Sequence, residues 1–348
     1  MSFAGRYEIL SVLAKGGQGI VYVALDLARS TRVALKVVDS AFCVDRDPHT
    51  RLMREAKIGS CLECENVVEV FDAGWDERTG CSYLAMELLV GRDLQRVVSN
   101  DWPLAPSTVV DYLRQVASGL DRAHGFRIQR GGSSIVHRDL KPANLFLCDA
   151  AEGKCVVKIL DFGVAKILER FAPNSIELRG TPLYMAPEQL VGAAVTPATD
   201  IWAFGLVAFF LLTGRSYWME GQPNSGSLPR LFAEILTDPL VPPSVRVRQL
   251  GLVCDLAAAF DAWFLRCCHR DPTRRFRSAG RALRALAKVM KVPLEATRSS
   301  SVREWLLWLR ACCASTIGDS ERKAQWFWLV MGAIAGFVAI MACGVVAM

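Results

Sequence analysis

Five short segments within the first ninety residues are rich in apolar residues, many of them β-branched or aromatic, which is typical of strands. Glycine-containing or polar turns separate several of them, and a stretch with helical periodicity, residues 51–62, interrupts the series. The predicted strands cover residues 7–13, 20–25, 31–38, 67–71 and 83–87. We therefore expect residues 1–90 to form a lobe made of a five-stranded sheet and one helix.

The periodicity changes after residue 90. Residues 107–124 carry apolar side chains at helical spacing, which predicts the central packing helix of a second lobe. Two short strands, at 145–148 and 156–160, are predicted to pair as a hairpin. We therefore expect an α+β chain in which residues 91–290 form a larger, mostly helical lobe.

The last segment of the chain, residues 326–348, contains no charged side chain. A helix of this length is about 34 Å long, enough to span a hydrocarbon core of ~30 Å. Tryptophans at its start suit the membrane interface, and Arg322 and Lys323 precede it, as the positive-inside tendency expects. The alternative is a helix buried in a core, but little core remains for such a helix to join. The pattern predicts a single transmembrane helix after a juxtamembrane linker at 291–325.

Further features bear on the membrane. The first ten residues lack the apolar core of a signal peptide, so we expect the two lobes to face the cytoplasm. Gly332 and Gly336 have the spacing that lets two membrane helices approach, although glycine is also frequent in single spans. Residues 298–310 suit either a helix on the membrane face or a helix that docks on the second lobe. We expect no extracellular domain beyond the span.

Composition sets limits on partners and metals. Mean hydropathy is +0.24, high for an enzyme wholly in water. The net charge of +6 is too modest to indicate nucleic acid, and we expect no such partner. Cys61 and Cys64 have metal-ligand spacing, but no second pair follows at zinc-finger distance. The adjacent cysteines at 267–268 and 312–313 are expected to be reduced packing residues.

Candidate chemistry concentrates between His137 and Leu145. Asp139 can accept a proton from a hydroxyl, Lys141 can neutralise charge on a moving phosphoryl group, and Asn144 offers an oxygen to a metal ion. Earlier in the chain, a glycine turn between two strands lets backbone N–H groups close over phosphates. Each signal alone is weak, but together they favour phosphoryl transfer.

Four short motifs follow one another along the chain, and they are Val33-Ala34-Leu35-Lys36, His137-Arg138-Asp139 with Asn144, Asp161-Phe162-Gly163, and Ala186-Pro187-Glu188. Their order and spacing resemble those of protein kinases. Over about residues 7–290 the chain resembles eukaryotic-like (Hanks-type) serine/threonine protein kinases of the bacterial type, since Lys141 is the serine/threonine form. The resemblance implies a bilobal protein kinase fold, which the single transmembrane helix would follow.

The resemblance also implies the reaction and its main residues. ATP and Mg²⁺ would be the cofactors, and serine or threonine hydroxyls of proteins the substrates. Asp139 would accept the proton of the hydroxyl, and Lys141 would stabilise the transferring charge. Lys36, paired with Glu55, would position the α- and β-phosphates. The Mg²⁺ ligands would be Asn144 and Asp161.

The phosphate loop of the family is matched at Gly16, Gly19 and Val21 and departs at its first position, where Ala14 stands. A methyl group is the smallest possible addition, so we expect Ala14 to be tolerated. All four residues are predicted to lie at the nucleotide.

The hinge of the family corresponds to Met86-Glu87-Leu88-Leu89. Met86 takes the gatekeeper position, and the backbones of Glu87 and Leu89 would face adenine. Asp93 has two interpretations of equal weight. It either meets the ribose or caps the helix that follows.

The resemblance extends to scaffold and regulatory positions. Asp200 would support the catalytic loop from a helix, and Glu188 would pair with Arg275. Ser175 is the candidate for an activating phosphate.

The prediction is a single-pass membrane-tethered serine/threonine kinase facing the cytoplasm, with a homodimer possible for trans-phosphorylation. A rival from another class is a membrane-anchored pseudokinase that binds partner proteins as a scaffold. Its sequence support is limited to Ala14.

Overall fold

The structure, a computed structural model, describes residues 2–16, 19–38, 62–126, 134–149, 155–161, 182–222, 227–254 and 256–294. Nearly all of them belong to one compact unit, Met1–Leu252 with Leu256–Ser300, and the second unit lies almost wholly outside them. The helix predicted at 51–62, apart from Leu62, and the span predicted at 326–348 also fall outside. Within the part of the chain that is described, no helix combines the length and apolar character needed to cross a bilayer.

An antiparallel six-stranded sheet forms the first lobe. Its strands are β1 (Ser2–Phe3), β2 (Tyr7–Gly16), β3 (Gly19–Asp26), β4 (Thr31–Val38), β5 (Val70–Asp76) and β6 (Cys81–Glu87). In space they follow the order β1-β2-β3-β4-β6-β5. Each of the five predicted strands has a counterpart in the sheet, since their apolar residues can be buried on both of its faces.

Two details of the sheet differ from the prediction. β1 adds a sixth strand of only two residues, too short to show a period, and Phe3 packs edge-to-face on Tyr83 with ring centres 5.8 Å apart. β5 covers Val70–Asp76, so it begins three residues later than the strand predicted at 67–71 and ends five residues later. Gly74 belongs to the strand because it makes room for its neighbour: a Cβ there would lie 2.7 Å from the Tyr83 hydroxyl oxygen.

The two faces of the sheet carry separate apolar clusters. Val33 and Leu35 of β4 are buried in one cluster. Ala34 and Met86 belong to the other. Because side chains alternate along a strand, Lys36 lies on the same face as Ala34. The candidate site is on that face.

Helices dominate the second lobe. They are α1 (Leu94–Asp101), α2 (Pro106–Gly125), α3 (Pro187–Leu190), α4 (Pro197–Thr213), α5 (Leu228–Leu236), α6 (Pro243–Gln249), α7 (Ala258–Cys267) and α8 (Ala279–Val289). A three-stranded sheet completes the lobe, made of β7 (Gly91–Asp93), β8 (Leu145–Cys148) and β9 (Val156–Ile159). β8 and β9 pair antiparallel and confirm the predicted hairpin.

The central helix of this lobe is α4, whereas the sequence placed that role at residues 107–124. α2 does form there with a buried apolar face, but Arg114 and Arg122 on its other side are exposed. α4 is buried all round from Thr199 to Thr213. One-sided periodicity marks a helix at the surface of a core, and a helix that is apolar on every side lies inside it.

Residues 62–68 are fixed to the helical lobe although they precede β5 and β6 in the chain. Ile159 N–H donates to Asn66 O at 2.9 Å. The Asn66 amide donates to Gln115 Oε1 of α2 at 3.3 Å. Gly119 permits this approach, since a Cβ there would lie 2.9 Å from Asn66 O. The segment is therefore part of the second lobe's framework.

Cys267 and Cys268 are free thiols buried where α7 packs on α4. A Cβ at Gly205 of α4 would lie 2.7 Å from Cys267 Cβ, so the two helices are in close contact. Burial raises the pKa of both thiols well above the ordinary value. The predicted role of this pair as reduced packing residues is confirmed.

Candidate active site

Asp139 lies in a loop whose short-range hydrogen bonds fix its neighbours. Lys141 Nζ lies 2.9 Å from Asp139 Oδ2. Asn144 Nδ2 donates to the Asp139 backbone oxygen at 2.8 Å and to Oδ2 at 3.1 Å. A 3-10 turn at Pro142–Asn144 folds the chain back to make this contact. The structure brings together three residues that the sequence proposed for catalysis, and the Asp139 side chain remains 24% exposed.

His137 helps to position Asp139 through a hydrogen bond to its backbone. Its ring is fully buried, Nε2 lies 2.8 Å from Leu160 O, and Nδ1 lies 3.2 Å from Asp139 N. A carbonyl oxygen can only accept, so Nε2 carries the proton and Nδ1 accepts from the Asp139 N–H. One neutral tautomer satisfies both contacts. The sequence interpretation gave His137 no role, although its place beside Arg138 in the motif was an available signal.

Asp200 anchors the same loop from α4. Its carboxylate accepts the backbone N–H groups of His137 at 2.8 Å and Arg138 at 2.9 Å, and His124 Nε2 lies 2.7 Å away. Burial favours the neutral carboxyl, but the hydrogen bond from His124 and the other donors outweigh it and lower the Asp200 pKa below its ordinary value. The predicted support of the loop by Asp200 is confirmed.

Lys36 and Asp161 meet across the cleft between the lobes. Lys36 Nζ donates to Asp161 Oδ2 at 2.8 Å. Asp161 follows β9, and Leu160 just before it donates its N–H to Asn144 O at 2.9 Å. Asp161 also has a left-handed backbone with φ 54°, a conformation that costs a non-glycine residue about 1–2 kcal/mol. Leu160 is bonded to the Asp139 loop at both its N–H, through Asn144 O, and its carbonyl oxygen, through His137 Nε2. These two bonds hold the Asp161 carboxylate beside Asp139.

The glycine turn joins β2 and β3 next to Lys36. Gly16 pairs with Gly19, and Ala14 pairs with Val21. Val21 in turn pairs with Lys36 on β4. The predicted phosphate-loop residues therefore lie on strands next to the lysine, while residues 17–18 lie outside the described structure.

Gly19→Ala should destabilise this turn and weaken nucleotide binding. Gly19 has φ 137°, and a Cβ there would lie 2.1 Å from Val37 O. We expect the free energy of unfolding to fall by about 1–3 kcal/mol, together with a higher KM for ATP, measured by urea unfolding and initial rates. Gly125→Ala is the matched control, since nothing lies within 4 Å of a Cβ there. Equal behaviour of the two variants would contradict the prediction.

An apolar surface adjoins Lys36 at the end of β6. Side chains that are only partly buried pack there against the cluster containing Ala34 and Met86, and they are Val21, Leu88, Leu89 and Leu160. These residues come from both lobes. The predicted contacts of the Glu87 and Leu89 backbones with adenine stay predictions.

Glu87 has a structural role that the sequence did not reveal. Its carboxylate lies 2.7 Å from Lys158 Nζ of β9 and accepts the Glu69 N–H at 2.8 Å. Glu87 N–H donates to Glu69 O at 3.0 Å. Lys158 has no distinctive sequence context, so no pattern linked it to a residue 71 positions earlier.

Asp93 caps α1. Its side chain accepts the Arg96 N–H at 2.9 Å. Of the two interpretations that the sequence left open, the helix cap is confirmed. Contact with a ribose stays a prediction.

Glu188 and Arg275 form a buried ion pair that joins α3 to the segment between α7 and α8. Arg275 Nη1 and Nη2 lie 2.7 and 2.8 Å from the two Glu188 oxygens. Thr199 Oγ1 donates to Glu188 at 2.9 Å, and Arg275 Nη1 also donates to Ala198 O at 2.8 Å. The predicted pair is confirmed.

Residues 7–285 match the family described as the protein kinase domain. The chain belongs to the protein kinase family. Its sheet-rich first lobe and helical second lobe are the two lobes of the kinase fold.

Curated kinases of bacteria are similar to the chain. Serine/threonine-protein kinase Pkn1 of Myxococcus xanthus is 35% identical over 84% of this chain and 40% of its own length. PrkC of Bacillus subtilis is 33% identical over 70% of this chain and 36% of its own. A probable serine/threonine-protein kinase of Clostridium acetobutylicum is 30% identical over 82% of this chain and 40% of its own. The chain thus spans less than half the length of these kinases.

Solved kinase domains share the fold. The crystal structure of the Mycobacterium tuberculosis PknI kinase domain gives a TM-score of 0.61 at 26% identity. The alignment covers 83% of this chain and 98% of that one. The chain and the PknI kinase domain therefore share both lobes of the fold.

Some predicted kinase residues lie outside the described structure. They are Glu55, Phe162, Gly163, Ser175 and all of 326–348. The ion pair proposed between Lys36 and Glu55 stays a prediction, and Lys36 contacts Asp161 as described above.

Proposed function

We propose that the protein is a serine/threonine protein kinase that transfers the γ-phosphate of ATP to hydroxyl groups of proteins. The observation that carries the proposal is the convergence at the cleft of Lys36 with Asp161, at 2.8 Å, and of Asn144 with Asp139. This set combines a cation for phosphates, oxygen ligands for a metal and a base for a hydroxyl. The similar curated proteins are named as serine/threonine-protein kinases.

The donor set fits Mg²⁺, which prefers oxygen ligands and keeps several waters. Asp161 offers a carboxylate whose side chain is 31% exposed. The Asn144 amide nitrogen is engaged by Asp139, which leaves its amide oxygen for a cation. No group of three or more metal-binding side chains occurs in the described residues. When bound, Mg²⁺ would neutralise charge on the phosphates.

The neighbouring surface fits a nucleotide. The partly buried side chains of Val21, Leu89 and Leu160 present apolar area of the kind that covers an adenine ring. Gly19 has no side chain, and its backbone therefore approaches Val37 closely on the strand next to Lys36. Lys36, 11% exposed at its side chain, is the cation at the inner end of this surface.

The chain's own residues then divide the chemical work. Asp139 orients the substrate hydroxyl and accepts its proton at a carboxylate oxygen. Lys141, 2.9 Å from that carboxylate, stabilises negative charge that moves with the phosphoryl group. His137 and Asp200 keep the loop in place, so catalysis depends mainly on positioning and electrostatics.

Contacts beyond the loop support a protein substrate. Gln189 Nε2 donates to Arg138 O at 2.7 Å, and Trp218 Nε1 donates to Leu183 O at 2.7 Å. The first bond holds Gln189 beside the catalytic loop, and the second ties Leu183 to Trp218 in the same lobe. An extended peptide placed along residues 182–190 would bring its hydroxyl to Asp139.

Label transfer from γ-labelled ATP tests the function. The full chain, given Mg²⁺ and a generic basic protein, should label serine and threonine, and chelation of the metal should abolish the labelling. Phosphoamino-acid analysis identifies the acceptor. Intact ATP binding without any label would instead support the pseudokinase scaffold.

We further propose that residues 326–348 anchor this kinase as a single-pass helix with the catalytic lobes in the cytoplasm. The support is the uncharged sequence and the cations before it. The full chain should stay with membranes during carbonate extraction, whereas a chain ending at 325 should be released. Release of both would refute the anchor.

We also propose that two such spans pack through Gly332 and Gly336 and so promote trans-phosphorylation. Replacing both glycines by leucine should reduce cross-linking of the full chain in membranes. Unchanged cross-linking would remove the dimer from the proposal.

A further inference from the structure

The last helix of the kinase unit presents a face made of cations. Arg281, Arg284 and Lys288 recur at helical spacing on one side of α8, and all three are exposed. Arg277 precedes the helix and Lys291 follows it, and both are exposed too. We call these five residues the α8 basic face. No Asp or Glu occurs from position 274 to position 291.

The opposite side of α8 fixes this face in place. Ala282, Leu283, Leu286 and Ala287 are buried. Ser278 caps the helix through the Arg281 N–H at 3.3 Å. The cations are therefore carried by a rigid element rather than by a loose tail.

The cations are not neutralised by the rest of the described chain. Among residues that the structure describes, none pairs ionically with any member of the face, whereas neighbouring Arg275 is paired with Glu188. Asp121 lies near Arg284, where its oxygens accept the N–H groups of Ala279 and Gly280 at 2.9 and 3.0 Å, but no ion pair joins it to Arg284. Like charges three and four residues apart disfavour a helix. A counter-charge from outside would relieve this repulsion.

Sequence position indicates what supplies the counter-charge. Between Lys291 and the uncharged segment 326–348 lie residues 292–325, which reach at most about 110 Å when fully extended. A bilayer that holds the segment therefore keeps the face within reach of its headgroups at high effective concentration. Clusters of Lys and Arg near a membrane helix are attracted to anionic lipids.

We propose that the α8 basic face binds the anionic headgroups of the bilayer in which the chain is anchored. The inference rests on the membrane anchor proposed above. Nucleic acid also carries phosphates, but a tethered face meets lipid first, and the net charge of the whole chain is only +6. The attachment of the kinase unit becomes sensitive to salt and to headgroup charge.

Amine labelling of the full chain in lipid nanodiscs tests the proposal. Discs of phosphatidylcholine alone are compared with discs that also contain phosphatidylglycerol, and labelling of each lysine is read by mass spectrometry. Lys288 and Lys291 should label several-fold more slowly in the anionic discs. Exposed Lys15 on β2 is the internal reference and should not change. High salt should remove the difference, because it screens exposed charges.

A double variant, Arg281→Gln with Arg284→Gln, keeps both reporter lysines. Removal of each cation should weaken lipid binding about fivefold, so most of the shielding should disappear. Glutamine is a good helix former, so α8 should persist. The matched control is Arg230→Gln with Arg248→Gln, which removes two exposed arginines from α5 and α6. An equal loss in the control would show a general charge effect and overturn the proposal.

Other outcomes also decide the matter. Equal labelling of Lys288 and Lys291 in both discs would overturn the proposal. Duplex DNA that shields them better than anionic lipid does would assign the face to nucleic acid instead. If carbonate extraction refutes the anchor, the labelling is repeated with the full chain and anionic vesicles. Shielding of Lys288 and Lys291 on these vesicles would show that the α8 basic face binds anionic lipid without the anchor. Unchanged labelling would refute the proposed lipid binding as well as the anchor.

Discussion

Replacing Asp139 by asparagine should lower turnover by about 10²- to 10⁴-fold. The amide has nearly the same shape but cannot accept the proton of the substrate hydroxyl. It also leaves Lys141, 2.9 Å away, without its carboxylate partner. The measurement is the initial rate of label transfer by the full chain at saturating ATP. ATP affinity should change little, because Lys36 contacts Asp161 rather than Asp139.

The matched control for this variant is Asp149→Asn. Asp149 is an exposed carboxylate directly after β8, and it should be dispensable for turnover. Near-wild-type turnover of Asp139→Asn would exclude Asp139 as the base. A comparable loss in both variants would show that the site responds to charge in general.

Replacing Arg275 by methionine should lower the free energy of unfolding by about 3–5 kcal/mol. The change leaves Glu188 buried without its cation and deprives Ala198 O of a donor. The measurement is urea unfolding of the full chain at neutral pH. Replacing both partners with methionine should recover part of the loss, because an apolar pair leaves no buried charge unpaired.

Arg274→Met is the control for this second variant. The neighbouring Arg274 is exposed and its Nε lies 3.7 Å from Asp271 Oδ2, but water screens this exposed pair, so its loss should hardly change stability. Equal stability losses in Arg274→Met and Arg275→Met would contradict the assignment of the buried pair.

Acid unfolding gives a further check on this pair. Burial opposes ionisation of Glu188, but Arg275 outweighs it and lowers the Glu188 pKa. The stabilisation is therefore present above the unfolded pKa of about 4.3 and is lost as pH falls through the folded value. The difference in free energy of unfolding between wild type and Glu188→Gln should be largest above the unfolded pKa and should shrink as pH falls from there through the folded pKa.

Sequence predicted the elements that have a strong local pattern. The apolar residues Val33, Ala34 and Leu35 predict strand β4, and the two-residue repeat of a strand then places Lys36 on the same face as Ala34. The motif around Asp139 fixes its own geometry, because a turn of three residues brings Asn144 back to it. Local periodicity and short-range turns are encoded within a few residues.

What sequence did not reveal depends on distant partners. The contact of Glu87 with Lys158 and that of His124 with Asp200 join residues 71 and 76 positions apart, and neither Lys158 nor His124 stands in a distinctive motif. The central position of α4 depends on what surrounds it, and a uniformly apolar run does not identify its neighbours. Two-residue strand β1 carries no period. These features follow from packing rather than from local pattern.

The attachment of residues 62–68 to α2 and β9 has a mechanical consequence. Asn66 is bonded to Gln115 and Ile159, so this segment stays with the helical lobe when the cleft opens or closes. If the sheet moves relative to the helical lobe, the chain should bend where this segment enters β5. The distance between Lys36 and Asp161, 2.8 Å in this structure, should then increase as the cleft opens.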